Sequence, residues 1–514
     1  MKIKWFLLLT IGALVFITCC ARPAPAGSPG WDIPGSTALP VSATPAPGQN
    51  LAPVVYQPYN RQPGEPVLTP TPDPIRTLPA PRTTPEQHTV QSGDTLGQIA
   101  QQYNVSVDNL VNANKLTDPN RLDIGQVLEI PAPTPGAPAP SFKIIPDSEL
   151  VYGPMSTNFD IEAFVQNKGG YLAKYQEEVD LEGQTMTGIQ IVERIAQNYS
   201  VNPRLLLAVL DYQSHWVTNP TSDSEALAYP IRYADKNRKG LYRQLAFAAD
   251  NLNRGFYLWR VNGLGVYVLA DGSLVPLDPS INAGTAGVQH FFSKLYDQDA
   301  WRKAVTEEGL FATYNQLFGY PFDFGVEPLL PANLTQPLLQ LPFEEGKTWS
   351  FTGGPHGGWG DGSGWAGLDF APPGDALGCV PSDEWVTAMA DGVILRTGNG
   401  AVIQDLDGDK REQTGWLLFY MHIENRDRIQ PGAIVHAGDH IGHPSCEGGV
   451  SNGTHVHIAR RYNGEWIPAD GTLPFILDGW VSSGDGIVYD GRLQKSGRIV
   501  KAWEGRIPEN QISR

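Results

Sequence analysis

The spacing of hydrophobic positions changes twice along this chain. In HTVQSGDTLGQIAQQYNVSVDNLVNANKLTDPNRLDIGQVLEIP, apolar residues recur at helical intervals at Leu96, Ile99, Ala100 and Tyr103. A short strand around Thr89-Val90 precedes them, a second short helix follows near Val107 to Asn114, and Val127 to Ile130 reads as a closing strand. From about 145 to 335 the spacing stays helical. IVERIAQNYSVNPRLLLAVLDYQSHW predicts two amphipathic helices, the second begun by Asn202 as cap with Pro203 at the first helical position. LYRQLAFAADNLNRGFYLWR and NAGTAGVQHFFSKL continue the pattern. From about 341 the period shortens: WVTAMADGVILRTG, AVIQDL, WLLFYMHI, AIVHAGDHIGHP and THVHIARR read as strands joined by tight turns. The stretch QDLDGDKREQTGW fits a hairpin tip. Its Asp405, Asp407 and Asp409 alternate as in a calcium loop, but the glycine is misplaced for an EF-hand, so the tip reads as solvated.

The predicted fold class is therefore multidomain: a small β-α-α-β unit at 87–132, a mostly helical domain at 143–338 and an all-β domain of barrel-sandwich type at 339–478, with 479–514 as a C-terminal extension. Residues 133–142 form a proline-rich linker. Residues 21–86 hold 17 of the 44 prolines and too few large apolar residues for a core, which predicts a disordered, extended tether. Residues 1–20 read as an export signal: Lys2 and Lys4 precede an apolar run from Trp5 to Thr18 that is short for a membrane span. The Cys19-Cys20 pair at its end resembles a bacterial lipoprotein cleavage box, with Cys20 (or Cys19) as the lipidated residue, although a small residue usually precedes that cysteine. The formal net charge of −17 argues against nucleic acid as a partner, because phosphate binding needs basic patches.

Seven of the ten histidines lie between 356 and 457, and His455 and His457 form a His-x-His pair. Strand side chains alternate faces, so two histidines at i and i+2 project together. Neutral imidazoles sharing a face are natural ligands for zinc. His215 and His290 read as ordinary packed or surface residues, and His436, His440 and His443 as turn residues that bind no metal. Cys379 and Cys446 lie in the same unit and, in an exported protein, read as one disulfide. Thiolate zinc ligation lacks the C-x-x-C spacing that would favour it.

Three resemblances sharpen this. From His88 to Pro131, the SGDTL string, the Asn-Val-Ser turn, the NxLxxxN stretch and the GQ-L-IP ending resemble a LysM domain. The resemblance implies binding to N-acetylglucosamine-containing glycan, with a groove between the loop of Gly93, Asp94, Thr95 and Leu96 and the loop ending near Ile124. The helical domain resembles the lysozyme-like core of lytic transglycosylases, in which a helix of this type ends in Glu-Ser. This chain has Gln213-Ser214 there, and an amide cannot protonate a leaving oxygen. On that resemblance the domain has lost its acid; nothing supports Glu193 or Asp211 as a substitute.

The third resemblance, over roughly 341–475, is to the lysostaphin and staphylolysin group of zinc endopeptidases that cut peptidoglycan cross-links. Most members carry an H-x-x-x-D motif, but Trp365 stands four residues before Asp369 here. The staphylolysin-like branch places its histidine thirteen residues before the aspartate, as His356 stands before Asp369. The resemblance implies that His356, Asp369 and His457 bind one Zn²⁺ per chain and leave an open fourth position. His422 and His455 would flank that position, His455 as base and His422 as oxyanion partner, or the reverse. Trp359, Trp365, Tyr420 and Trp466 are candidates for a substrate groove, about half of which would belong to the core.

Together these observations describe an exported zinc metalloendopeptidase of the cell envelope, acting on the peptide cross-links of bacterial peptidoglycan. LysM would hold it to the glycan and a possible lipid anchor to the membrane; without the anchor it would be extracellular. The alternative is a non-catalytic wall-binding protein that activates or positions another hydrolase.

Overall fold

A computed structural model describes residues 56–514, apart from 63–64, 66–69, 71, 81, 92–93, 104, 120, 135 and 180–182. The export signal, Cys19, Cys20 and Gly93 therefore lie outside the described residues.

In the first unit the strands Glu86–Thr89 and Val127–Ile130 pair antiparallel around the helices Leu96–Gln102 and Val107–Asn114. Val90, Leu96, Ile99, Val105, Leu110, Leu128 and Ile130 fill its small core. Ser106 caps the second helix by accepting the N–H of Asn109. The side chain of Asn114 brackets the closing strand, accepting the N–H of Glu129 and donating to its carbonyl.

The middle unit is built on the helices Gly188–Tyr199, Pro203–Ser214, Leu241–Arg260 and Ala283–Ser293. Thr187 and Gln190 close a capping box on the first, and Asn202 caps the second with Pro203 behind it. The described parts of the proline-rich segments do not float free. The N–H groups of Asp73 and Arg76 bond to the carbonyls of Ser280 and Pro279, those of Gly136 and Ala139 bond to Leu274 and Pro276, and Arg61 pairs with Asp323 at 2.6 Å. A segment without a core of its own can still be ordered by another unit's surface, which composition does not reveal.

The third unit is an antiparallel sheet. Its strands run in the order Ile434–Val435, Gly392–Gly398, Ala401–Asp405, Trp416–Met421, Val456–Tyr462, Gly367–Ala371, Thr348–His356 and Gln511–Ser513, with Glu465–Trp466 added beside Val456–Tyr462. The two end strands do not meet, so the sheet is open rather than a closed barrel. The stretch expected to be an extension returns to this fold. Trp480–Gly484, Gly491–Lys495 and Arg498–Lys501 join Ile476–Leu477 in a four-stranded sheet, and Gln511–Ser513 pairs with Thr348 to Ser350.

Alternation decides what each face meets. Val402, Leu418, Tyr420, Val456 and Ile458 pack with Phe475, Leu477, Trp480 and Leu493 of the smaller sheet. Their neighbours Ala401, Ile403, Leu417, Phe419, Met421 and Ala459 join one buried cluster with the helical unit, including Ile195, Phe256 and Tyr257. A sheet buried on both faces reads as near-continuous apolar runs, as WLLFYM does.

Candidate metal centre

The sheet brings His356, Asp369 and His457 together, with one ligand atom of each within 4.8 Å of the others. Asp369 and His457 are cross-strand partners, so their side chains stand on one face. That face is also the one carrying Met421, opposite His457, and Phe419. His356 ends its strand and reaches across from Gly367, its register partner. Two glycines make room: a Cβ at Gly353 would sit 2.4 Å from Oδ2 of Asp369, and one at Gly367 would sit 2.3 Å from Cε1 of His457.

Hydrogen bonds select the tautomers. Nδ1–H of His356 donates to the carbonyl of Gly354 at 2.8 Å, and Nε2–H of His457 donates to the carbonyl of Gly358 at 3.2 Å. The remaining ring nitrogens, Nε2 of His356 and Nδ1 of His457, then carry lone pairs, and they face each other at 2.8 Å. Oδ1 of Asp369 lies 3.3 Å from the first and 3.1 Å from the second. Three lone-pair atoms turned toward one another repel unless a proton or a metal cation lies between them. Tetrahedral zinc with bonds of about 2.0–2.1 Å places neighbouring ligand atoms about 3.3 Å apart; the two Asp369 distances match that edge, the imidazole pair is shorter, and the donor set fits zinc in its chemistry.

Burial alone would raise the pKa of the Asp369 carboxyl, but His356 and His455 hold it well below the usual range. His422 and His455 lie beside the triad, their rings tilted by 49° with centroids 4.4 Å apart. Nδ1 of His422 donates to the carbonyl of Glu447 at 3.0 Å and Nδ1 of His455 to that of Gly453 at 2.7 Å, so both present Nε2 as an acceptor. Burial, then His455 and His457, push the pKa of His422 down to about 3. His422 also holds φ at 64°, a left-handed conformation that a histidine adopts at a cost. The disulfide Cys379–Cys446 ties down the approach to His455. Beyond it, the N–H of Thr454 donates to the carbonyl of Gly378 at 3.1 Å.

Sequence reasoning did not single out Tyr489, whose ring stacks on His356 at 4.3 Å from a loop of the supposed extension. Nor did it see Gly358 as the carbonyl that orients His457. Among the groove candidates, Trp466 and Tyr420 are core residues: Trp466 is buried against the helical unit, and the Tyr420 hydroxyl donates to Gln404. Trp359 is half-buried between Tyr199 and Phe419, and Trp365 is half-buried as well. His290 is a core histidine bonded to the carbonyl of Asn251, and His215 caps a helix. His440 and His443 flank Trp385, and the exposed His436 lies 3.6 Å from Asp439. In the LysM unit, Asp94 accepts from His88 at 2.7 Å and Thr95 from the N–H of Gln98. Leu96 belongs to the core, while Ile124 is exposed.

In the helical unit the Gln213 side chain accepts from the Tyr296 hydroxyl, Asp211 accepts the N–H groups of Val217 and Thr218, and Glu193 is exposed.

Three stretches of the chain match known protein families. Residues 88–131 match the LysM domain, 143–333 the LasA N-terminal domain, and 364–468 peptidase family M23. The match to the LasA N-terminal domain spans the helical unit. Protease LasA of Pseudomonas aeruginosa is 24% identical over 347 residues, covering 63% of this chain and 75% of that protein. The secreted LysM effector ECP6 of Passalora fulva is 40% identical over 48 residues, 9% of this chain and 21% of its own. Among solved structures, the M23 metalloprotease pseudoalterin is 26% identical with a TM-score of 0.26, covering 33% of this chain and 96% of its own. The catalytic domain of lysostaphin from Staphylococcus simulans is 23% identical with a TM-score of 0.17, covering 24% and 88%. The C-terminal unit is a zinc-dependent peptidase domain of family M23, joined to a LasA N-terminal domain and a LysM domain.

Proposed function

We propose that the chain is an exported endopeptidase that hydrolyses peptide cross-links of bacterial peptidoglycan while its LysM domain holds nearby glycan. The observation that carries this reading is the convergence of three ligand atoms beside two further imidazoles. A purely structural zinc site would close all four positions with protein ligands. Here three groups are committed, and two histidines remain for proton transfer.

His356, Asp369 and His457 would hold one zinc per chain. When bound there, zinc supplies Lewis acidity that brings the pKa of water to about 7. Nε2 of His455, 3.7 Å from Oδ1 of Asp369, accepts the proton from the attacking water. We assign this role to His455 because it is half-buried, whereas His422 is buried. His422 lies against the same reacting position as oxyanion partner, donating its single ring proton from Nε2 in the tautomer that gives up the bond to the Glu447 carbonyl. The first ring then returns its proton to the leaving amine. LysM raises the local concentration of wall substrate without adding a catalytic contact. An anchor at Cys20 or Cys19 would place the enzyme at the membrane face of the wall and rests on residues 1–20 alone.

The test is to incubate the zinc-loaded chain from Ala21 onward, and its His457→Ala variant, with purified peptidoglycan and weigh the soluble products. Cut peptides from the parent alone are expected. Intact peptides from a folded, zinc-bound parent on several wall types would overturn the enzyme in favour of a wall-binding activator.

A further inference from the structure

We propose that the helical unit is a working part of the metal centre: Asp250 is a positioning residue that holds the glycine-rich loop, and through it His457, in ligating geometry. This rests on the zinc reading above.

The loop 357–364 joins His356 to the strand of Asp369 and supplies the Gly358 carbonyl that orients His457. Its own bonds are few. The N–H of Gly358 donates to the carbonyl of Gly364 at 3.0 Å, and the N–H of Trp359 donates to Oγ of Ser363 at 3.0 Å. Ser363 Oγ also donates to the Gly360 carbonyl at 3.2 Å, Trp359 meets Phe419 of the sheet, and further support comes from the helix Leu241–Arg260. Oδ1 of Asp250 accepts the N–H of Gly362 at 2.8 Å, and Arg254 donates to the carbonyl of Asp361 at 3.2 Å. The Tyr199 ring, from the neighbouring helix, meets Trp359 edge-on at 6.2 Å.

The glycines are shaped to this helix. A Cβ at Gly362 would lie 1.8 Å from the backbone oxygen of Asp250, and one at Gly360 would lie 2.7 Å from its Oδ1. A Cβ at Gly364 would lie 3.2 Å from the Tyr257 ring. These glycines are therefore a fitted contact surface. The path of influence is short: Asp250 fixes Gly362, the closed loop fixes the Gly358 carbonyl, and that carbonyl keeps the proton on Nε2 of His457 so that Nδ1 is free to ligate. Partners of metal ligands tune affinity even though they never touch the metal.

The experiment compares the full chain with Asp250→Ala, Asp250→Asn and Gly362→Ala, after circular dichroism has shown each to be folded. Zinc affinity is read by chelator competition, site geometry by the visible spectrum of the Co²⁺-substituted protein, and turnover on peptidoglycan. Asp250→Ala and Gly362→Ala are expected to bind zinc about 10- to 100-fold more weakly, with shifted cobalt bands and lower kcat; Asp250→Asn, whose amide oxygen accepts the same N–H, stays within about threefold. Parent-like zinc affinity and cobalt spectrum in both Asp250→Ala and Gly362→Ala would overturn the proposal alone. Turnover that rises at unchanged zinc affinity would also overturn it, by making the helical unit only a cover. A folded parent that takes up no zinc overturns the site reading and this proposal with it.

Discussion

The hydroxyl of Tyr257 accepts a hydrogen bond from the backbone N–H of Trp466 at 2.8 Å, joining the helical unit to the sheet inside their common core. Both residues are buried. Tyr257→Phe strands the Trp466 N–H and is expected to lower stability by about 1–3 kcal/mol. The midpoint of denaturant unfolding checks this; an unchanged midpoint would show that the bond contributes nothing net.

Ligands and proton carriers should separate in a substitution series. His356→Ala and His457→Ala are expected to abolish both zinc binding and turnover, since each removes one of only three ligands. His455→Ala and His422→Ala should retain zinc while kcat falls by about 10²–10⁴. Metal analysis beside steady-state kinetics distinguishes the two groups.

The disulfide should matter for both stability and rate. It closes a loop of 67 residues and leads into the turn where Ser451 Oγ lies 3.4 Å from Nδ1 of His455. Replacing both cysteines by serine is expected to cost roughly 2–4 kcal/mol. Turnover should drop further than zinc affinity, because none of the three metal ligands sits on the stapled segment.

The hairpin tip carries a pH dependence. Burial first, then the neighbouring carboxylates Asp405 and Asp409, push the pKa of Asp407 up to about 8, from 3.8. Between those values the folded chain keeps a proton that the unfolded chain gives up, so stability falls as pH rises through the window. The Tm is expected to decline from about pH 5 to about pH 8, and Asp407→Asn to flatten that decline. Equal slopes in parent and variant would remove Asp407 as the cause.

Some of this architecture was legible because it is local. His455 and His457 announce their common face by a spacing of two, and Asn202-Pro203 marks a helix start by cap chemistry alone. The open sheet edges and the return of 511–513 to Thr348 depend on pairing across more than 160 residues, which no short window records. The run WLLFYM shows burial on both faces without showing which neighbour covers each. The thirteen-residue spacing of His356 and Asp369 was readable, but not the path of the glycine-rich loop between them. That its glycines answer to Asp250 and Tyr257 required the helix to be in place.

The apolar cluster that runs from Ile195 and Phe256 into Ile403 and Phe419 makes the middle and C-terminal units one thermodynamic body. Neither half has a finished surface at that seam, much as the subunits of an obligate dimer do not. Calorimetry should therefore record a single cooperative transition for the two together. A protease that cuts the chain between them would nick the molecule without parting it.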